Sequence, residues 1–198
     1  MIDRGGQTLP WQAWFEASAD TRVDAAVRGV YARLDEQIRQ RAPTCWSSGR
    51  CCNFETFDHQ LYVTGLEIAW VLRQLPVASC DEEAEPGRLP VINTATGGRL
   101  SLSAHELAAV KIDLRGPCPL QIDKLCSIHT VRPLGCRVFF CQQGTEQWQR
   151  ELYEHFLAEL RHFHDALDIE YCYMEWRAGL REALSMLTAG QAPAVDVQ

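Results

Sequence analysis

The chain has almost no lysine. Lys111 and Lys124 are the only two among its 19 cationic residues, and the rest are arginines. Acidic residues number 26, so the net charge is −7. A chain of that sign offers no basic face to a phosphate backbone, which argues against a nucleic-acid partner. No apolar run approaches the roughly 20 residues of a membrane span, so no membrane partner is expected. The first ten residues hold no apolar h-region; no secretory leader and a soluble cytoplasmic protein are therefore expected. There is no glycine loop to cradle phosphate, no nucleophile elbow and no zinc-protease helix. Spacing alone nominates no pair of catalytic carboxylates, and no internal repeat or low-complexity tract is present.

Cysteine is what the chain has in excess, with nine in 198 residues. At 46% hydrophobic the chain can bury a core without disulfide staples. In a reducing compartment, clustered thiols serve as metal ligands or redox groups more often than as structural disulfides. An odd count also suits complete pairing poorly. Four thiols, Cys118, Cys126, Cys136 and Cys141, fall within 24 residues. Pro119 and Pro133 forbid one continuous helix there, so the segment reads as an irregular, turn-rich loop. Cys45, Cys51 and Cys52 form a second cluster upstream. Sixty-five residues separate Cys52 from Cys118, and the fold is expected to bring the two clusters together around a metal.

Helical periodicity dominates the rest. Thr8 to Ser18 reads as a short helix with Trp11, Trp14 and Phe15 on its apolar face. Asp20 or Thr21 caps a helix over 21–41, marked by Val23, Val27, Val30, Tyr31, Leu34 and Ile38 and stopped by Pro43. Thr64 and Glu67 form a capping-box pattern that opens a helix ending before Pro76. Leu89–Ile92 and Arg99–Leu102 are expected to pair as a hairpin, and Ser103 to start a short helix to about Ile112. The longest helix starts at Thr145 or Glu146, its core stripe running Trp148, Leu152, Phe156, Leu160, Phe163 and Leu167. After a break near Asp168, a last helix carries Met174, Leu180, Leu184 and Leu187. The expected fold is a mainly α, small helical domain with an irregular cysteine-rich metal-binding layer and one short β-hairpin. Residues 1–190 form a single domain, with the cysteine-cluster region at 44–141 and C-terminal helices at 145–188; residues 191–198 are expected to be a disordered tail.

Thiolates suit zinc, copper(I) and iron–sulfur clusters, and four sulfurs suffice for one zinc or one 4Fe–4S cluster. Seven candidate ligands exceed that need: Cys45, Cys51, Cys52, Cys118, Cys126, Cys136 and Cys141. A four-thiolate site is anionic, and Arg50, Arg132 and Arg137 stand beside candidate ligands where guanidinium groups could compensate the charge. Cys80 and Cys172 read as small core residues. His155, His162 and His164 lie on the long helix, the first two sharing a face, and His129 sits in the thiol loop; a solvated or capping role suits the helix histidines better than ligation.

The arrangement resembles the CxxCxxCC-type, YkgJ-like family of cysteine-cluster proteins, described as zinc- or iron-chelating. Its first motif, C-x-x-C-G-x-C-C, is matched by Cys45, Gly49, Cys51 and Cys52, with Ser48 where the second cysteine would stand. Val63-Thr64 matches the entry to the following helix, and Cys118-Pro119-Leu120 the third element. Cys126, Ile128, Arg132, Pro133, Cys136 and Arg137 match the fourth, with His129 in place of an aromatic residue. The resemblance spans about residues 44–141. It implies a bound metal, either zinc or an iron–sulfur cluster. Because Ser48 removes one thiol, either that position is dispensable or Cys141 or His129 substitutes. Some larger relatives are flagellin lysine methylases; this chain lacks their additional length, and that activity is not carried over.

No close C-x-x-C knuckle remains, which weakens a zinc ribbon; scattered cysteines and a proline beside a ligand suit a 4Fe–4S cluster. The ligands expected first are Cys45, Cys118, Cys126 and Cys136, with Cys51 or Cys52 next. A structural or electron-transfer role is expected, with Zn2+ as the alternative occupant. An enzyme of unknown substrate using an open metal position, or a helical interaction domain with a thiol redox switch, are the competing readings. The redox or protein partner is not legible.

Overall fold

The computed structural model describes residues 9–45, 48–55, 58–75, 112–122 and 124–189. Among these, six helices dominate, and the fold is mainly α. The first helix, α1 (Trp11–Ala19), buries Trp11, Trp14 and Ser18. The next, α2 (Thr21–Arg41), has the expected bounds. Asp20 caps it by accepting the Arg22 N–H at 2.8 Å. Ala42 ends it in the left-handed region at φ 49°, just ahead of Pro43. Its buried residues Val23, Val27, Val30, Tyr31 and Leu34 follow the helical period.

At the centre lies α3 (Gly65–Gln74). Its capping box is formed on both sides: the Glu67 N–H donates to Thr64 Oγ1, and the Thr64 N–H to Glu67 Oε2. Every residue from Gly65 to Leu72 is buried, as a helix walled in by others requires. On one side α1 packs so closely that a Cβ at position 65 would fall 2.1 Å from the Trp14 ring. Glycine is the residue that leaves room for the indole against the α3 backbone.

Three short strand pieces and a short helix surround α3 in the chain. The strand β1 (Tyr62–Thr64) directly precedes α3, while β2 (Gln121–Ile122) and β3 (Leu125–Cys126) pair as a tight hairpin. A single helical turn, α4 (Leu134–Arg137), comes next. The long α5 (Glu146–Ala166) buries Leu152, Phe156, Leu160 and Phe163, as its stripe predicts, and lies against α2. It ends where Asp168 turns left-handed at φ 53°. The strand β4 (Tyr173–Glu175) then pairs antiparallel with β1, Val63 opposite Met174, and α6 (Trp176–Ala189) packs on α3. Met174 therefore belongs to a strand, not to the last helix. A three-residue strand is too short for alternation to be seen in sequence.

Of the four buried tryptophans among the described residues, three tie the layers together through a satisfied indole N–H, Trp11 Nε1 being the exception. Trp14 donates to the Glu170 carbonyl and Trp70 to Asp24 Oδ1, both at 2.8 Å. Trp176 donates to Cys118 Sγ at 3.4 Å. No helix among the described residues is long and apolar enough to cross a membrane. The expected hairpin over 89–102, the helix from Ser103, Cys80 and the tail 191–198 lie outside the described residues.

Candidate thiol site

The two cysteine clusters meet. Gly49, left-handed at φ 72°, turns the chain into a 3-10 turn over Arg50–Cys52. A Cβ on Gly49 would fall 2.7 Å from the Lys124 carbonyl, so this turn abuts the hairpin. Two hydrogen bonds lock the contact. The Cys118 N–H donates to the Cys52 carbonyl at 2.7 Å, and Gln121 Nε2 donates to the Gly49 carbonyl at 3.0 Å. Inside the loop, the Ser127 N–H and hydroxyl both reach the Leu120 carbonyl, at 3.0 and 2.8 Å.

Cys136 arrives on α4. The turn's start is fixed by the Leu134 N–H, which donates to buried Glu67 at 2.9 Å. Arg137 holds the approach. It is 4% exposed, donates to the carbonyls of Thr130 and Arg132 at 2.8 Å, and pairs with Asp35. Its guanidinium also lies 4.2 Å above the Tyr31 ring. Arg137 thus shapes the loop backbone, and Asp35 takes up its charge.

Five thiols sense one another. Cys51 and Cys52 have sulfurs 4.0 Å apart. The neighbouring sulfurs of Cys118, Cys126 and Cys51, Cys118 foremost, push the Cys52 thiol strongly up, so that it stays the proton donor. The acceptors move the other way. Hydrogen bonding from Cys52 pulls Cys51 down to about 6 and Cys126 to about 7, against their burial. The same bond lowers Cys118, helped by the Leu120 N–H and the Trp176 indole. Burial pushes Cys136 well up, and charge on Cys118 and Cys126 adds to it. Arg132 is the cation these groups share, acting on Cys51, Cys126 and Cys136. Its Nε is buried and has no hydrogen-bond partner among the described residues.

Two expected ligands stand apart. Cys45 is exposed and meets no other thiol among the described residues. Cys141 lies 3.4 Å from Ser48 Oγ, so the serine at the motif's altered position faces a thiol from the distant cluster. Cys172 is half-buried against the core. His129 is exposed, and His155 contacts Glu159 at 3.2 Å on the far side of α5. No group of three or more His, Cys, Asp or Glu side chains among the described residues stands ready to hold a metal ion. What is gathered is the backbone of five cysteines, each with one staggered torsion that re-aims its sulfur.

Two residues at the site escaped sequence reading. Trp176 follows its strand without a motif, and only the β1–β4 pairing brings it to Cys118. His59 stacks on Phe139 at 5.1 Å, and its Nε2 lies 3.4 Å from the Cys51 carbonyl. A histidine seven residues after the vicinal pair was a usable signal.

Comparison with protein-family models, curated proteins and solved structures returned no match.

Proposed function

We propose that this protein is a metal-binding cysteine-cluster protein of the YkgJ-like kind, holding a 4Fe–4S cluster in a structural or electron-transfer role. The observation that carries this is the convergence of five cysteines from three separated segments, tied by the Cys118 N–H to the Cys52 carbonyl. The donor set fits the group. It is all sulfur, with several thiols lowered toward the thiolate that a cluster requires. Arg132, whose buried Nε–H is unspent among the described residues, stands beside it, and an indole N–H already points at one sulfur. Such groups stabilise anionic thiolate centres.

Cys52, Cys118 and Cys126, whose thiols shift one another's protonation, would supply three ligands. Cys51 or Cys136 would supply the fourth. When bound, a cluster of this type takes up and returns one electron. The chain's part is to neutralise it through Arg132, hydrogen-bond it through Trp176 and shield it from water. Zn2+ is the alternative occupant of the same thiols.

Metal and acid-labile sulfide analysis of protein purified without oxygen decides between them. Iron and sulfide near four per chain, with broad absorption around 400 nm (roughly the range of thiolate-ligated clusters), supports the cluster. Stoichiometric zinc in a colourless sample replaces it with a zinc site. Neither metal overturns the proposal and leaves a thiol redox switch, for which the vicinal Cys51–Cys52 pair would be the first place to look.

A further inference from the structure

Next to the thiols the surface opens into a pocket of about 410 Å³, with Cys51 and Cys136 in its wall. That volume suits a small molecule of about two fused rings. Aromatic rings line much of it. Tyr62 and Tyr173 stack at 5.6 Å and 22°, and His59 and Phe139 at 5.1 Å and 18°. Tyr62 is 40% and Tyr173 36% exposed, two of the three exposed large apolar side chains among the described residues. Both face this one pocket, where a flat ring would cover them.

The polar groups at the wall are unequally spent. Gln149 is fully used: it accepts from the Phe140 N–H and donates to the Phe140 carbonyl and to Thr145 Oγ1. The Tyr62 hydroxyl donates to Gln60 at 2.8 Å, and the Tyr153 and Tyr173 hydroxyls engage each other. Arg150 lines the pocket, is exposed, and has no hydrogen-bond or ion-pair partner among the described residues. It is a donor awaiting an acceptor. Glu146, one turn earlier on α5 and in the same wall, offsets its charge. A neutral acceptor therefore fits better than a free carboxylate, which Glu146 would repel.

We infer that this pocket binds a neutral, planar, fused-ring aromatic molecule bearing a carbonyl. Its ring lies against the Tyr62–Tyr173 pair and its oxygen accepts from Arg150. The inference stands whatever the thiols hold.

Equilibrium dialysis of the intact protein, as purified, tests it with 2-naphthamide as the probe. Saturable binding of one molecule per chain below about 1 mM is expected. Cyclohexanecarboxamide, which cannot stack, and 2-naphthoate, which is charged, should each bind more weakly. Arg150→Gln should weaken the amide about tenfold and Tyr62→Ser by a similar factor, whereas Arg181→Gln should not. All three positions are exposed, so a urea midpoint near that of the parent confirms that each variant is folded. No saturable binding to the folded protein overturns the inference, as does indifference to Arg150→Gln. Tighter binding of 2-naphthoate overturns the neutral-acceptor assignment.

Discussion

The hydroxyl of Tyr31 donates to Glu67 at 2.7 Å inside the core, joining α2 to α3. The same carboxylate, 2% exposed, receives the N–H of Leu134, two residues before Cys136, and the N–H and hydroxyl of Thr64. Burial, then the Glu67 charge, pushes the Tyr31 hydroxyl well above its ordinary range, so it remains a donor. Four donors converge on one acid. Glu67→Gln would turn one acceptor into a donor facing donors and should cost about 2–4 kcal/mol. Urea unfolding measures this, and an unchanged midpoint would remove Glu67 from its place as the hub of the fold.

Gly65→Ala probes the tightest glycine contact among the described residues. The added methyl meets the face of Trp14, itself walled in by Trp11 at 5.0 Å and bonded to the Glu170 carbonyl. The ring has no room to retreat, and overpacking of this kind costs about 1–3 kcal/mol. A lowered thermal midpoint with unchanged metal content is the expected outcome. A neutral result would mean that α1 can shift away freely.

Single cysteine-to-serine variants should divide into two classes. Cys52→Ser, Cys118→Ser and Cys126→Ser should lose most of their metal and, with it, stability. Cys45→Ser and Cys172→Ser should retain both. Metal per chain by elemental analysis, read beside the unfolding midpoint, separates the classes. Full metal retention by Cys52→Ser would sink the proposed ligand set.

His164 sets an acid limit on stability. It is 1% exposed; its Nδ1–H donates to the Ile169 carbonyl at 3.1 Å, while Nε2 has no partner among the described residues. Burial is the first cause of a pKa held below the ordinary histidine value of 6.5. Above 6.5 the ring is neutral folded or unfolded, and contributes no slope. Below it the unfolded chain binds the proton more readily, so stability falls as pH drops from 6.5 toward the folded-state value. His164→Met should be less stable at pH 7, having lost the Ile169 bond, yet show a shallower fall between pH 7 and 5. Urea titrations across that range supply the slopes, and equal slopes would exclude His164 as the source.

The helices were legible because their periods are long and their ends are marked. Asp20, Pro43 and the Thr64–Glu67 pair each carry a local stop or start signal, and α2 keeps its expected bounds. The meeting of the two thiol loops was expected from cysteine chemistry. Which thiols meet was not legible, since it depends on Gly49 turning left-handed and on the Gln121 side chain reaching back to it. Cys45 precedes that turn and is exposed, whereas Cys51 and Cys52 follow it and reach the hairpin. The β1–β4 ladder pairs residues 62–64 with 173–175, too few per strand and too far apart in sequence for any pattern to announce them.

That ladder and the indole of Trp176 have a consequence for the order of synthesis. Every cysteine of the site lies upstream of residue 137, so all five emerge from a ribosome well before Trp176 does. Cys118 meanwhile lacks its indole partner, and β1 has no strand to pair with. A nascent chain therefore displays its sulfurs in an unfinished frame until the last helix is made. Loading that completes before then would have to proceed without the contact that the C-terminal quarter of the chain provides.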